Sequence, residues 1–184
     1  MKGIFWLALL ISANGFSQDR TGTIVLDTSH EGHTAKVRFT VSAFVPSLHK
    51  VEACSDSGPI IIDGRKPLGV GICDLPEDVI GSMILSFDNV EIDIPKELYS
   101  DCYEPQFPGT NRPTSEYLVI RIGDDLKSVF VFMNGGDAAG HYQIIWVLRT
   151  DGKHSRFSTG SCADCNFINF DSEFDERFIR YEIP

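Results

Sequence analysis

Over residues 36–45 the chain alternates polar and apolar side chains every second residue. Val37, Phe39, Val41, Ala43 and Val45 point one way; Lys36, Arg38, Thr40 and Ser42 point the other, and only Phe44 interrupts. A helix repeats every 3.6 residues, so a period of two specifies a strand with one dry and one wet face. The same period returns along the chain, broken each time by a turn-forming pair. Asp88-Asn89 tolerates the positive φ of a tight hairpin. It pairs Phe87 with Val90, Leu85 with Ile92 and Met83 with Ile94 on an apolar face. Ser86 beside Glu91 and Ile84 beside Asp93 make the other face.

Two more hairpins follow the same logic. Around Asp124-Asp125, pairing Ile122 with Lys127 puts Leu118, Ile120, Val129 and Val131 on one face. The opposite face carries Tyr117, Val119, Phe130 and Phe132. Both faces are apolar, which predicts a place between two layers. Around Asp151-Gly152 the two-residue turn sets Trp146 opposite Phe157 and Leu148 opposite Ser155. Arg149 then lies beside His154, and Val147 beside Arg156, on the other face.

Shorter strands are predicted at residues 23–26, 60–62, 167–170 and 178–183. Residues 27–33, 46–58, 64–82 and 103–115 read as loops, and the acidic stretch 171–176 joins the last two strands. Residues 95–101 read as the one helix, with Pro95 in its first turn and Glu97 near its positive end. The expected fold is all-β: an antiparallel β-sandwich or barrel of about nine or ten short strands with one short helix.

The N-terminal 17 residues have the layout of a secretory signal peptide. Lys2 precedes an apolar run over residues 4–11, and small and polar residues extend to Ser17. The run is shorter than the ~20 residues that span a bilayer. Cleavage is expected after Ser17, with Gly15 as the alternative, and no cysteine lies nearby to carry a lipid. Residues 18–184 are then a single β-rich domain, secreted or periplasmic, without a stable membrane anchor. At 42% hydrophobic and 23% charged residues the chain has the composition of a globular domain.

A net charge of −10 repels phosphate backbones, and the only basic cluster is Lys153, His154 and Arg156, so nucleic acid is not an expected partner. The five cysteines, Cys54, Cys73, Cys102, Cys162 and Cys165, are all disulfide candidates in an oxidising compartment, and an odd number leaves at least one unpaired within the chain. Cys162 and Cys165 form a CxxC, but without a βαβ context they read as structural bridges rather than a redox site or a zinc site.

The chemistry-bearing motifs are missing. There is no G-x-S-x-G elbow, no P-loop, no dinucleotide fingerprint, no H-E-x-x-H and no EF-hand loop. His30-Glu-Gly-His33 could offer two imidazoles to a metal, but Gly32 and the flanking strands place it in a hairpin loop of solvated side chains. No metal and no cofactor is expected. Carboxylate pairs suited to glycoside chemistry are Asp124 with Asp125, which reads as a turn, and Glu91 with Asp93, on a wet strand face. Residues 134–140 form a glycine-rich loop between two strands, where binding residues often sit. Asn134, Asp137 and His141 are therefore the candidate ligand-binding residues, while His154 and Arg156 are expected at the far end of their hairpin. No catalytic residue is assigned. The reading leans away from an enzyme, towards a β-domain that binds a ligand or a partner. The alternatives are a secreted hydrolase using paired carboxylates and a structural or inhibitory surface protein.

Residues 96–101, 134–142 and 149–157 resemble segments of a group of uncharacterised bacterial secreted proteins, and the likeness covers about residues 60–160. The resemblance implies a bacterial source and carries no activity, cofactor or catalytic residue.

Overall fold

The computed structural model describes residues 22–52, 54, 60–106, 118–136, 140–159 and 179–182. Eleven strands run through them: β1 (Gly22–His30), β2 (His33–Ala43), β3 (Val51–Glu52), β4 (Ile61–Ile62), β5 (Asp78–Phe87), β6 (Val90–Asp93), β7 (Leu118–Ile122), β8 (Ser128–Gly135), β9 (Tyr142–Arg149), β10 (Ser155–Thr159) and β11 (Ile179–Glu182). They form a four-stranded sheet ordered β1-β2-β5-β6, a five-stranded sheet ordered β11-β10-β9-β8-β7, and a β3-β4 ribbon. Every pairing between strands is antiparallel. The larger sheets do not close on each other, so the all-β expectation resolves to a sandwich and not a barrel. Among the described residues the helical content is two 3-10 turns, Pro46–Leu48 and Lys96–Leu98. The expected helix over residues 95–101 is thus a single tight turn.

One core joins the two sheets. Ile24, Val37, Phe39, Met83 and Leu85 face it from the smaller sheet, and Leu118, Val131, Ile144, Trp146 and Leu148 from the larger. Phe39 meets Trp146 across the gap at 5.9 Å between ring centroids, a contact of about 0.5–1.5 kcal/mol beyond its buried area. The smaller sheet keeps a wet outer face, where Arg38 pairs with Glu91 at 3.2 Å. This agrees with the alternation over residues 36–45 as far as Val41. There the ladder shifts register, because Gly81 adds one residue to β5. Beyond it Ala43 and Val45 face solvent, and Phe44 is the buried residue.

Several sequence expectations change in detail. Residues 27–30 belong to β1 and not to a loop, since only Glu31 and Gly32 make the turn, both at positive φ. Residues 78–82 are strand as well, and Val51–Glu52 forms a strand inside a stretch expected to be irregular. The Asp88-Asn89 hairpin has the expected register, but Val90 at its tip is exposed. The β7–β8 hairpin keeps its faces with a register two residues away: Ile122 pairs with Val129, and the loop runs from Gly123 to Lys127. Asp125 organises that loop by accepting from the Lys127 and Ser128 amides and from the Ser128 hydroxyl. β7 is an edge strand of its sheet, not a central one. The strand expected at residues 167–170 lies outside the described residues.

The β9–β10 hairpin differs most. Trp146 pairs with Arg156, and Phe157 with Ile145, one residue away from the register of a two-residue Asp-Gly turn. Residues 150–154 join the two strands, and the Gly152 amide closes the turn by donating to the Arg149 carbonyl at 3.1 Å. Only Gly152 has positive φ (80°). A turn whose positive φ falls on the glycine alone differs from the two-residue Asp-Gly hairpin, which needs positive φ at both central residues. A one-residue slip exchanges the two faces of a strand. Arg156 therefore enters the core, and Phe157 joins the opposite face.

Candidate functional site

Arg156 is 5% exposed. Its guanidinium forks onto the Asp101 carboxylate, with Nη1 on Oδ1 and Nη2 at 3.0 Å from Oδ2. Nη1 also donates to the Leu98 carbonyl at 3.2 Å, and the Trp146 indole N–H donates to the same oxygen at 2.8 Å. The Cys102 sulfur lies 3.8 Å from Nη1. Cys102 is buried and unpaired, and burial pushes its thiol pKa far above the ordinary value. These groups pin the segment Tyr99–Gln106, which crosses from one sheet to the other. Leu68 holds its backbone on one side through the Asp101 carbonyl and the Tyr103 amide, and Asn134 accepts from the Gln106 amide. The cluster is interior and tied by internal hydrogen bonds from both terminal nitrogens of Arg156. Its chemistry is that of a buried tie, not of a nucleophile.

The glycine-rich corner lies where this strap meets the end of β8. Side chains at Gly69, Gly135, Gly136 and Gly140 would overlap neighbouring groups: the Tyr103 carbonyl and the Tyr142 ring at Gly69, the Tyr142 ring at Gly135, and the Gly69–Val70 backbone at Gly140. The group that approaches these glycines is the chain's own backbone and the Tyr142 ring. Tyr142 is fully buried and donates to the Tyr103 carbonyl at 3.0 Å, and burial pushes its phenol well above the ordinary range.

Of the residues predicted to bind a ligand, Asn134 sits on β8, buried, with its side chain on the outer face of the five-stranded sheet. His141 precedes β9, is half-buried, and burial lowers its pKa. Asp137 lies outside the described residues. The ladder sets Asn134 opposite Gln143, and Gln143 opposite Thr159. All three are buried, and the Gln143 carbonyl oxygen, the Thr159 hydroxyl and the His141 Nδ1 have no hydrogen-bond partner among the described residues. Gln143 and Thr159 were not anticipated. Their place in a polar cross-strand row depends on the slipped register of β10.

The second feature is apolar. Leu48 and Ile72 are large hydrophobic residues exposed to 79% and 82%, with Val45 and Leu75 close to half exposed. They occupy two segments that are tied together twice. The Phe44 amide donates to the Glu77 carbonyl at 2.7 Å, and Cys54 and Cys73 stand at disulfide distance, with Cα atoms 5.2 Å apart. Beneath them Phe44, Ile60, Ile62 and Tyr103 form a second small core, with Val51, Val70 and Val79 at its edge. The available signal in the sequence is an apolar residue inside a Gly/Pro-rich loop, where solvated side chains are the rule.

One member of each candidate carboxylate pair has another occupation. Asp125 caps its own loop and meets Arg149 at 3.4 Å, and Glu91 is paired to Arg38. His33 and His49 each hold a carboxylate through Nδ1, Asp88 at 2.6 Å and Asp63 at 2.7 Å. Asp88 is held below the usual carboxylate range by the Thr34 amide and then His33; Asp63 is lowered by His49 and then the Lys50 amide. Cys162 and Cys165 lie outside the described residues, and no helix among the described residues is long and apolar enough to cross a membrane. No protein-family model, curated protein or solved structure matches the chain.

Proposed function

We propose that this chain is a secreted, non-catalytic β-sandwich that binds a protein partner through its disulfide-tied end. The observation that carries the reading is that Val45, Leu48, Ile72 and Leu75 are all exposed on two segments joined by Cys54–Cys73 and by the Phe44–Glu77 hydrogen bond. Large apolar side chains held rigidly in water cost solvation until a partner covers them. A cross-linked loop also loses little entropy when it is captured. The Cys54–Cys73 pair and the apolar run behind Lys2 support export to an oxidising compartment. A bacterial source rests on the resemblance over residues 60–160.

The test places a photo-crosslinking side chain at position 48, 72 or 90 in the producing cell. Positions 48 and 72 should trap one common protein, and position 90, an exposed apolar site at the distant hairpin tip, should not. With that protein purified, Leu48→Ser/Ile72→Ser should weaken binding by about 2 kcal/mol or more per anchor at unchanged melting temperature. Equal trapping at position 90, or unchanged affinity in the double variant, would refute the reading.

A second reading has its own observation. The unpartnered Gln143 and Thr159 oxygens and His141 Nδ1 suit a small polar ligand or bound water at the end of the five-stranded sheet, since each buried polar atom without a partner costs about 1–3 kcal/mol.

A further inference from the structure

His30 and His33 flank the two-residue turn Glu31-Gly32 and are direct partners across the β1–β2 ladder. Directly opposed residues project from the same face, with Cβ atoms about 4.5–5.5 Å apart. That spacing lets two imidazoles reach one ion. The two rings differ in preparation. His33 stacks on Phe87 at 5.6 Å, and its Nδ1 lies 2.6 Å from Asp88 Oδ2. The other carboxylate oxygen of Asp88 accepts from the Thr34 amide at 2.9 Å, and the Asp88 amide donates back to the Thr34 carbonyl. Asp88 is thus immobilised by the backbone it faces. An imidazole that gives its Nδ1 proton to a fixed carboxylate presents its Nε2 lone pair outward, the arrangement found behind metal-bound histidines. His30 is exposed and engages in no hydrogen bond or ion pair among the described residues, so its ring can turn towards that lone pair.

The molecule contains an internal comparison. His49 has the same support: Nδ1 is 2.7 Å from Asp63, the Lys50 amide donates to the second carboxylate oxygen, and the ring stacks on Phe44 at 4.6 Å. None of the other four histidines is its ladder partner: His30 and His33 face each other, and His141 and His154 belong to the far sheet. Only the His30–His33 turn combines an oriented imidazole with a second one opposite.

We propose that His30 and His33 form a two-imidazole site for a divalent transition ion of the zinc or copper type, with Asp88 orienting His33 from behind. Nitrogen donors select this class over calcium or magnesium. Among the described residues no third His, Cys, Asp or Glu completes a ligand set. Water fills the remaining positions, and the ion exchanges with solvent.

The test is competition for ZnCl2 and for CuCl2 between the intact protein and a chromophoric chelator. One ion per chain is expected. His30→Gln and His33→Gln should each abolish competition. Asp88→Asn, which keeps a residue tolerant of positive φ at the turn, should weaken binding about 10-fold or more. His49→Gln should bind as the parent does, and circular dichroism should report the same fold in all four variants. A parent protein that does not compete, binding that survives loss of either imidazole, or loss of binding in His49→Gln would each overturn the proposal.

Discussion

Replacing Arg156 with methionine tests the least anticipated feature of this fold. The guanidinium is 5% exposed and forks onto Asp101, itself 9% exposed, while also donating to the Leu98 carbonyl. Methionine fills much of the volume and removes every donor. Asp101 is then left as a buried carboxylate without its counter-charge, a defect of about 3–5 kcal/mol. At about 2–4 °C per kcal/mol for a chain of this size, the melting temperature should fall by roughly 6–20 °C. Urea unfolding followed by circular dichroism, with the disulfide intact, measures the loss directly. Removing the stranded charge as well, in Arg156→Met/Asp101→Leu, should recover about 2 kcal/mol or more, because an apolar pair of similar volume avoids desolvating two ions. A change within about 0.5 kcal/mol in the single variant is the signature of a surface residue. That result would put Arg156 on the solvent face, restore the two-residue turn at Asp151-Gly152, and refute the Trp146–Arg156 register.

Three further outcomes are expected. Burial lowers the pKa of His154, whose Nδ1 accepts from the Arg149 amide at 3.1 Å. Below the ordinary value of about 6.5 the unfolded chain binds a proton that the folded chain refuses. Stability should therefore fall as pH drops through that window, and His154→Gln should flatten the slope of melting temperature against pH. Removing Cys54 and Cys73 together releases a crosslink spanning 19 residues in sequence; this should cost about 3 kcal/mol, and non-reducing peptide mapping should recover 54 linked to 73 with Cys102 free. Gly135→Ala should drive a methyl group into the Tyr142 ring and break the Tyr142–Tyr103 hydrogen bond. A loss of about 1–3 kcal/mol in urea unfolding checks it, and an unchanged midpoint would show that the ring can move aside.

Hairpins were legible where the turn chemistry admitted one geometry. Asp88 and Asn89 both take positive φ, and the register read from them is the one observed from Phe87–Val90 to Ile84–Asp93. Asp151-Gly152 admits two geometries, and the pattern of residues 153–158 did not choose between them. Putting Arg156 inward looks unfavourable until Asp101, 55 residues earlier, supplies the counter-charge. The candidate site was legible to a similar degree. Asn134 and His141 were singled out from their loop as candidates, whereas Gln143 and Thr159 became neighbours of Asn134 only through cross-strand pairing. The glycines of residues 134–140 announced tight turns or a close approach, and only the packed structure identified Gly69, Val70 and Tyr142 as what approaches.

Local alternation and turn residues act between near neighbours, and by themselves they determined that the chain is all-β, antiparallel and built of hairpins. Which face of β10 is buried, which cysteines meet and which loop side chains stay wet are decided between residues far apart in sequence. Tertiary structure alone decided them: the slip that buries Arg156, the Cys54–Cys73 tie, and the exposed Leu48 and Ile72. The physical reason is that burial and charge pairing depend on which surfaces meet, whereas a two-residue period says only that a strand has two faces.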